Sequence, residues 1–315
     1  MHEPRMPWWS VSLRGLAMGA ADVVPGVSGG TMALVLGIYP RFISALSRLD
    51  LGLLRRLWTA ARQGDGLRPI RRELVASDVS FLAALALGIG VAVLSLARVI
   101  PSLLERYPAE MNGLFFGMIL ASTALPFRLM EKRGPAQVAA CTVSAVFAFW
   151  VVGLPVLQVA GGLGYLFGSG AIAISAMLLP GISGSFLLLI LGQYTRVLEA
   201  IHQRELLVLG VFGLGVATGL LAFSRLLRWL LDRHPSTMLA ALCGLMVGSL
   251  RKIWPYKVPL SEPLMVDDKV VQGTKNVWIT DPAHGGSVLM PAVLLLVGFV
   301  GVLALERIGS AKRSE

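Results

Sequence analysis

Apolar residues run almost unbroken through eight stretches, at about Gly15–Tyr39, Val79–Ala97, Met111–Phe127, Ala136–Ala160, Gly168–Tyr194, Leu206–Phe223, Met238–Leu250 and Val288–Leu305, with polar and charged residues gathered between them. Several approach the roughly 20 residues that a helix needs to cross a hydrocarbon layer. Two of the stretches cannot be continuous helices, because Pro25-Gly26 and Pro180-Gly181 each interrupt one and a Ser-Gly pair follows two residues later. Proline removes a backbone donor and clashes with the preceding turn, and glycine loosens what remains. The pattern predicts an all-α polytopic membrane protein in which two segments are broken and six span.

The two breaks are copies of each other. PGVSGGTMALVLGIYPR, from Pro25 to Arg41, is written again 155 residues later as PGISGSFLLLILGQYTR, from Pro180 to Arg196. Further on, LGIGVA (Leu87–Ala92) matches FGLGVA (Phe212–Ala217), LERYP (Leu104–Pro108) matches LDRHP (Leu231–Pro235), and Gly117 and Ser122 match Gly244 and Ser249. The offset falls from 155 to 125 and then 127, which places about 30 extra residues in the first half. The expected organisation is a first repeat over 1–160, with a re-entrant hairpin at 15–40, a basic amphipathic insertion at 46–77 and three spanning helices. A second repeat over 161–315 has a hairpin at 168–194, three spanning helices and an extracytoplasmic loop at 254–287. Three spans per half put the halves in opposite orientations, the inverted-repeat plan of many secondary transporters.

Within the insertion, Leu46, Leu49, Leu53 and Leu57 form a helical stripe with Arg48, Arg55 and Arg62 on the other side. This reads either as an amphipathic helix on an anionic cytoplasmic leaflet or as a solvated cytoplasmic loop. Charge sets the topology. If both broken segments return to the side they came from, 19 of the 28 Lys and Arg are cytoplasmic; without the long stretch Arg251–Ser287 the ratio is 19 to 4, against 13 to 10 if both cross. Short flanking loops carry the positive-inside rule, so the re-entrant arrangement is expected, with both termini cytoplasmic.

Composition agrees: 55% of the 315 residues are hydrophobic, 15% are charged and the mean hydropathy is +0.73, which excludes a soluble globule of this size. The opening MHEPRMPWWS lacks the apolar core of a secretory signal, so a retained N-terminus is expected. Cys141 and Cys243 lie in apolar runs and suggest no disulfide framework. His2, His202, His234 and His284 are scattered with no Asp/Glu/His cluster, which argues against an enzyme such as a lipid phosphatase and against a metal site or other cofactor.

A hairpin that stops inside the bilayer leaves free N–H groups at the start of its second helical piece, and these must face protein, water or a ligand. Gly26, Gly29 and Gly30 let the backbone approach a partner, and Ser28 and Thr31 add hydroxyls; the second copy offers Gly181, Ser183, Gly184 and Ser185. Two such N-termini brought together would form an anion site. The alternative is that the serines cap their own helices and the glycines only permit packing, as Gly113/Gly117 and Gly244/Gly248 would. Arg41 and Arg196 hold equivalent places two residues after Tyr39 and Tyr194, and are either headgroup contacts or interfacial anchors. Asp22, whose counterpart is Met177, is the one acidic residue in either broken segment. It is a candidate for proton or sodium coupling, or a structural partner for donors freed around Pro25.

ADVVPGVSGGTMALVLGIYPR and AISAMLLPGISGSFLLLILGQYTR resemble the paired signatures of the polyprenyl-phosphate transporters (PopT type), a bacterial and archaeal membrane family formerly known as a domain of unknown function. The resemblance spans essentially the whole chain. It implies translocation of undecaprenyl phosphate from the outer to the cytoplasmic leaflet of the bacterial cytoplasmic membrane, for reuse in cell-wall synthesis. In the helix-end reading above, the candidate substrate-binding residues for that lipid are Pro25, Gly26, Ser28, Gly29, Gly30, Thr31 and Arg41, with Pro180, Gly181, Ser183, Gly184, Ser185 and Arg196. The expected partners are that lipid and the membrane, not nucleic acid, with the oligomeric state open. A small-anion transporter or channel would use the same helix N-termini and remains the alternative.

Overall fold

The computed structural model describes residues 6–23, 28–62, 68–96, 98–157, 161–259, 264–266, 269–271, 274–279 and 288–311. In the first half the helices are α1 (Trp8–Asp22), α2 (Gly29–Val35), α3 (Tyr39–Ser47), α4 (Leu51–Arg62), α5 (Arg68–Ala76), α6 (Val79–Leu96), α7 (Val99–Arg106), α8 (Pro108–Ser122), α9 (Ala124–Leu129) and α10 (Pro135–Val151). The second half holds α11 (Leu163–Leu178), α12 (Gly184–Ile190), α13 (Tyr194–Gln203), α14 (Leu206–Arg233), α15 (Pro235–Ser249), a 3-10 turn at Leu250–Ile253 and α16 (Leu289–Ala311). Between that turn and α16, β1 (Lys257–Pro259) pairs antiparallel with β4 (Thr274–Asn276), and β2 (Leu264–Val266) with β3 (Lys269–Val271). The chain is an all-α, multi-pass membrane protein: α6, α8 with α9, α14, and α15 with its 3-10 turn are long and apolar enough to cross a bilayer, and α10, α11 and Leu289–Ala304 of α16 are shorter apolar helices.

Glycine decides which helices touch. A Cβ on Gly15 or Gly19 of α1 would strike the backbone of α6 at Leu85 and Ile89, and one on Gly215 or Gly219 of α14 that of α11 at Phe167 and Ala171. Gly113 and Gly117 of α8 meet α16 at Pro291 and Leu295, and Gly244 and Gly248 of α15 meet α10 at Cys141 and Ala145. Without a hydrophobic driving force between helices in lipid, such small residues let backbones approach closely enough for dispersion to hold them. In all four pairs the register advances in the same sense along both helices, so each pair is parallel. Between α1 and α6, and again between α11 and α14, the chain therefore returns to the end of the bundle from which it started.

Each return closes in the same way. Gly37 and Gly192, at φ +68° and +65°, end α2 and α12. Gly37 N–H donates to Leu34 O and Ile38 N–H to Ala33 O; Gly192 N–H donates to Leu189 O and Gln193 N–H to Leu188 O. This paired 5→2 and 6→1 bonding needs a left-handed residue, which glycine supplies without a Cβ penalty. The axis then bends by 101° between α12 and α13.

Three sequence expectations change in detail. The insertion at 46–77 is not one amphipathic helix: the leucine stripe is cut at Arg48–Asp50, and α4 and α5 follow as separate helices. Asp50 caps the new start by accepting from Leu53 N–H at 2.6 Å, and Arg56 pairs with Asp50 and with Glu73 at 3.7 and 3.3 Å. In the run Ala136–Ala160 the helix α10 ends at Val151. Tyr39 is no interfacial anchor, being 0% exposed.

Candidate functional site

The first motif is built inward. Ser28 caps α2 by accepting the Gly30 N–H at 3.1 Å, and Asp22, at the end of α1, accepts the Gly29 N–H at 2.6 Å. A carboxylate at a helix N-terminus is favoured by the dipole and satisfies an orphan donor. Every residue of α2 is buried. From that position Thr31 Oγ1 accepts the N–H of Gly181 at 3.0 Å, Tyr39 Oη donates to Leu178 O at 3.0 Å, and Ser28 Oγ stands 3.5 Å from the carbonyls of Met177 and Leu179. The first motif thus grips the end of α11 and the turn of the second, joining residues about 150 apart in sequence. Gly181 takes φ +89°, and a Cβ there would lie 2.9 Å from Met246 Cα.

The second motif is built outward. The Ser183 side chain does not cap α12, and of that helix's residues only Gly184 and Ile190 are buried. Ser183 Oγ and Ser185 Oγ lie 2.9 Å apart in an exposed hydrogen bond. Phe186, in the position of Thr31, carries the Lys252 ammonium 4.1 Å from its ring centroid. Lys257 Nζ donates to Lys252 O at 2.6 Å, and burial together with the charge of Lys252 pushes the Lys257 ammonium down to about 8. Among the described residues no carboxylate forms an ion pair with either lysine.

Beside the first motif lies a pocket of about 120 Å³, with Asp22, Gly29 and Gly30 at one end and apolar walls that include Phe42, Ile174 and Leu220. It lies between helices of both halves, a small apolar cavity with a single carboxylate in its lining. Among the described residues no His/Cys/Asp/Glu group could hold a metal.

Arg41 and Arg196 each have a protein partner. Arg41 forms a two-pronged pair with Asp78 at 2.9 and 3.2 Å and stacks 4.4 Å over Phe81, while Arg196 donates to Gly161 O. Pro180 is buried, and Pro25 and Gly26 lie outside the described residues. Lys252 and Lys257 escaped the sequence reading, hidden in a mixed-charge loop. The one signal was that GSLRK places two cations directly after the small-residue stripe of α15.

Residues 18–269 match the family described as undecaprenyl phosphate translocase-like. The chain is 42% identical over 256 residues to a polyprenyl-phosphate transporter of Vibrio cholerae, covering 81% of this chain and 80% of that one. It is 30% identical over 267 residues to a polyprenyl-phosphate transporter of Staphylococcus aureus, covering 78% and 86%. No solved structure matches. With four fifths of its length inside that family's pattern, both broken segments included, the chain belongs to the undecaprenyl phosphate translocase-like family.

Proposed function

We propose that the chain is a transporter, not an enzyme, and that it carries polyprenyl phosphate, specifically undecaprenyl phosphate, from the outer to the cytoplasmic leaflet of the bacterial cytoplasmic membrane. The carrying observation is the Thr31–Gly181 hydrogen bond, which joins the two motifs beside an apolar pocket with Asp22 at its end. A phosphate drawn bare through hydrocarbon would cost many kcal/mol, so it needs such polar segments at membrane depth. The relatives' names supply the substrate class.

The parallel packing of α1 with α6 and of α11 with α14 supports re-entrant hairpins, because a crossing segment would have made these pairs antiparallel. The pairing of α8 with α16 and of α10 with α15 supports inverted halves: consecutive spans alternate in direction, so α8 and its equivalent α15 run oppositely. Together with the charge bias, this supports a topology with both termini and the α4–α5 insertion on the cytoplasmic side, where basic helices would meet anionic lipid.

Asp22 holds a donor that a phosphate would otherwise take, so headgroup binding at Gly29 requires that carboxylate to move or to gain a proton. This is the basis for proton coupling in the reading. Capture by Arg41 likewise requires release from Asp78. The experiment is transport of undecaprenyl phosphate and undecaprenol in vesicles containing the purified protein. Movement of the phosphate and not the alcohol is expected. Equal movement of both lipids, or saturable uptake of a water-soluble anion with neither lipid moved, overturns the reading, and the second result establishes the small-anion alternative.

A further inference from the structure

The second half carries ammonium groups where the first has none: at the offset of 127, Lys252 and Lys257 correspond to Leu125 and Met130. Neither lysine is loosely placed. Trp254, between them, packs edge-on against Phe116 and Tyr256 at 5.6 and 6.0 Å and donates its indole N–H to Val277 O at 2.8 Å. Asn276, opposite Lys257 on β4, donates to Arg251 O at 2.8 Å. These contacts fix the β1–β4 hairpin on the 3-10 turn, and with it the spacing of the two lysines.

A ring face satisfies a cation through its quadrupole but offers no oxygen to its three N–H donors. Lys257 spends one donor on Lys252 O. Two neighbouring ammonium groups, neither ion-paired among the described residues, repel each other and pay a desolvation penalty that an anion would offset. Ser183 and Ser185, within three residues of Phe186, add two hydroxyls. A phosphate monoester brings up to two negative charges and three strong acceptor oxygens, which fits two ammoniums and two hydroxyls.

We propose that Lys252 and Lys257, with the hydroxyls of Ser183 and Ser185, form the phosphate-holding site of the second half. This rests on the polyprenyl-phosphate reading above for its lipid source; inorganic phosphate offers the same chemistry. The site lies at the end of α15 that faces outward in the proposed topology, which makes it the point of first capture.

The test uses the purified full chain and its Lys252→Gln, Lys257→Gln and Lys252→Arg variants in lipid nanodiscs, probed with undecaprenyl phosphate, undecaprenol and inorganic phosphate. Each glutamine change is expected to weaken undecaprenyl phosphate binding by about tenfold or more, the scale of one hydrogen bond to a charged group. Undecaprenol binding should not change, and Lys252→Arg should restore most of the loss, which separates a missing charge from misfolding. Inorganic phosphate binding that is lost in the same variants supports the site and assigns it to the free ion as well. Glutamine variants of normal affinity, in a protein that prefers the phosphate lipid to the alcohol, overturn the lysine site and leave the transport reading intact. A wild-type protein that binds both lipids equally overturns both.

Discussion

The two broken segments share a backbone and differ in chemistry. Both close at a left-handed glycine with the same pair of bonds, and both pack through parallel glycine-lined helices. Yet α2 is wholly buried, its first N–H groups taken by Asp22 and Ser28, while α12 is only partly buried, has no cap from Ser183 and is accompanied by Lys252. The first copy brings its own anion and the second brings cations. A repeated motif therefore conserves the frame that exposes helix-end donors, and the residues beside it decide what those donors face. In the transport reading proposed above, that inequality would make the first copy the fixed side and the second the side open to the headgroup.

The sharpest way to break the comparison is to exchange the residues that distinguish the copies. Thr31 is 2% exposed and accepts the Gly181 N–H. Thr31→Phe both overpacks the site and orphans a buried donor, and is expected to cost about 3–5 kcal/mol. Phe186→Thr removes a ring contact with Lys252 at a half-exposed position and is expected to cost about 1 kcal/mol. Melting temperatures in detergent decide it: similar losses from both exchanges would mean that the two sites are equally integrated.

Next in size is the serine pair. Ser28→Ala removes a buried cap and should cost about 1–2 kcal/mol, whereas Ser183→Ala, whose hydroxyl bonds Ser185 in an exposed pair, should stay within about 0.5 kcal/mol. In binding of undecaprenyl phosphate the order should reverse. If Ser183→Ala proves neutral in both assays, the second copy loses its claim to the headgroup.

Much of this was legible in the chain. The breaks, their pairing and the small-residue stripes follow from local rules: proline and glycine cannot continue a helix, and glycine at four-residue spacing marks a close helix contact. The LG before Tyr39 and before Tyr194 is visible too, although only the structure shows its glycine as the left-handed residue that ends α2 and α12. What was not legible depends on distant contacts. Tyr39 and Tyr194 look alike in sequence, but one donates to Leu178 O at full burial and the other is 39% exposed. Asp22 ends one helix, where a carboxylate opposes the dipole. The fold turns it onto the start of the next, where the dipole has the opposite sign. Lys252 reaches Phe186 across 66 residues, a distance no periodicity spans.

A smaller effect is expected from Asp22→Asn, because the amide oxygen can still accept from Gly29 while the charge is gone. Folding should change by less than about 1 kcal/mol, the worth of one surviving hydrogen bond made neutral. Transport of undecaprenyl phosphate measured across pH should lose the dependence that the carboxylate gives it. An unchanged pH profile in a stable Asp22→Asn protein would leave Asp22 as a cap and nothing more.

The smallest effect concerns Lys257, whose ammonium is held down to about 8 from 10.5 by burial and by Lys252. Among the described residues, Lys252 is the charge that acts on it, and Lys275 lies on the paired strand β4; both are basic. A phosphate monoester is already doubly ionised at pH 8, since its second ionisation lies near 6, so the lipid does not titrate in this window. Binding of undecaprenyl phosphate should therefore weaken a few-fold as pH rises from about 8 to 10, and Lys257→Arg should abolish that decline. The sign for stability is opposite. The unfolded lysine keeps its proton up to 10.5 while the folded one releases it near 8, so the unfolded chain binds more protons across that interval and stability rises with pH. Falling affinity with a steady or rising melting temperature identifies titration at Lys257. Affinity and melting temperature falling together would point to alkaline loosening of the β1–β4 hairpin, and affinity flat to pH 10 would take Lys257 out of the headgroup site.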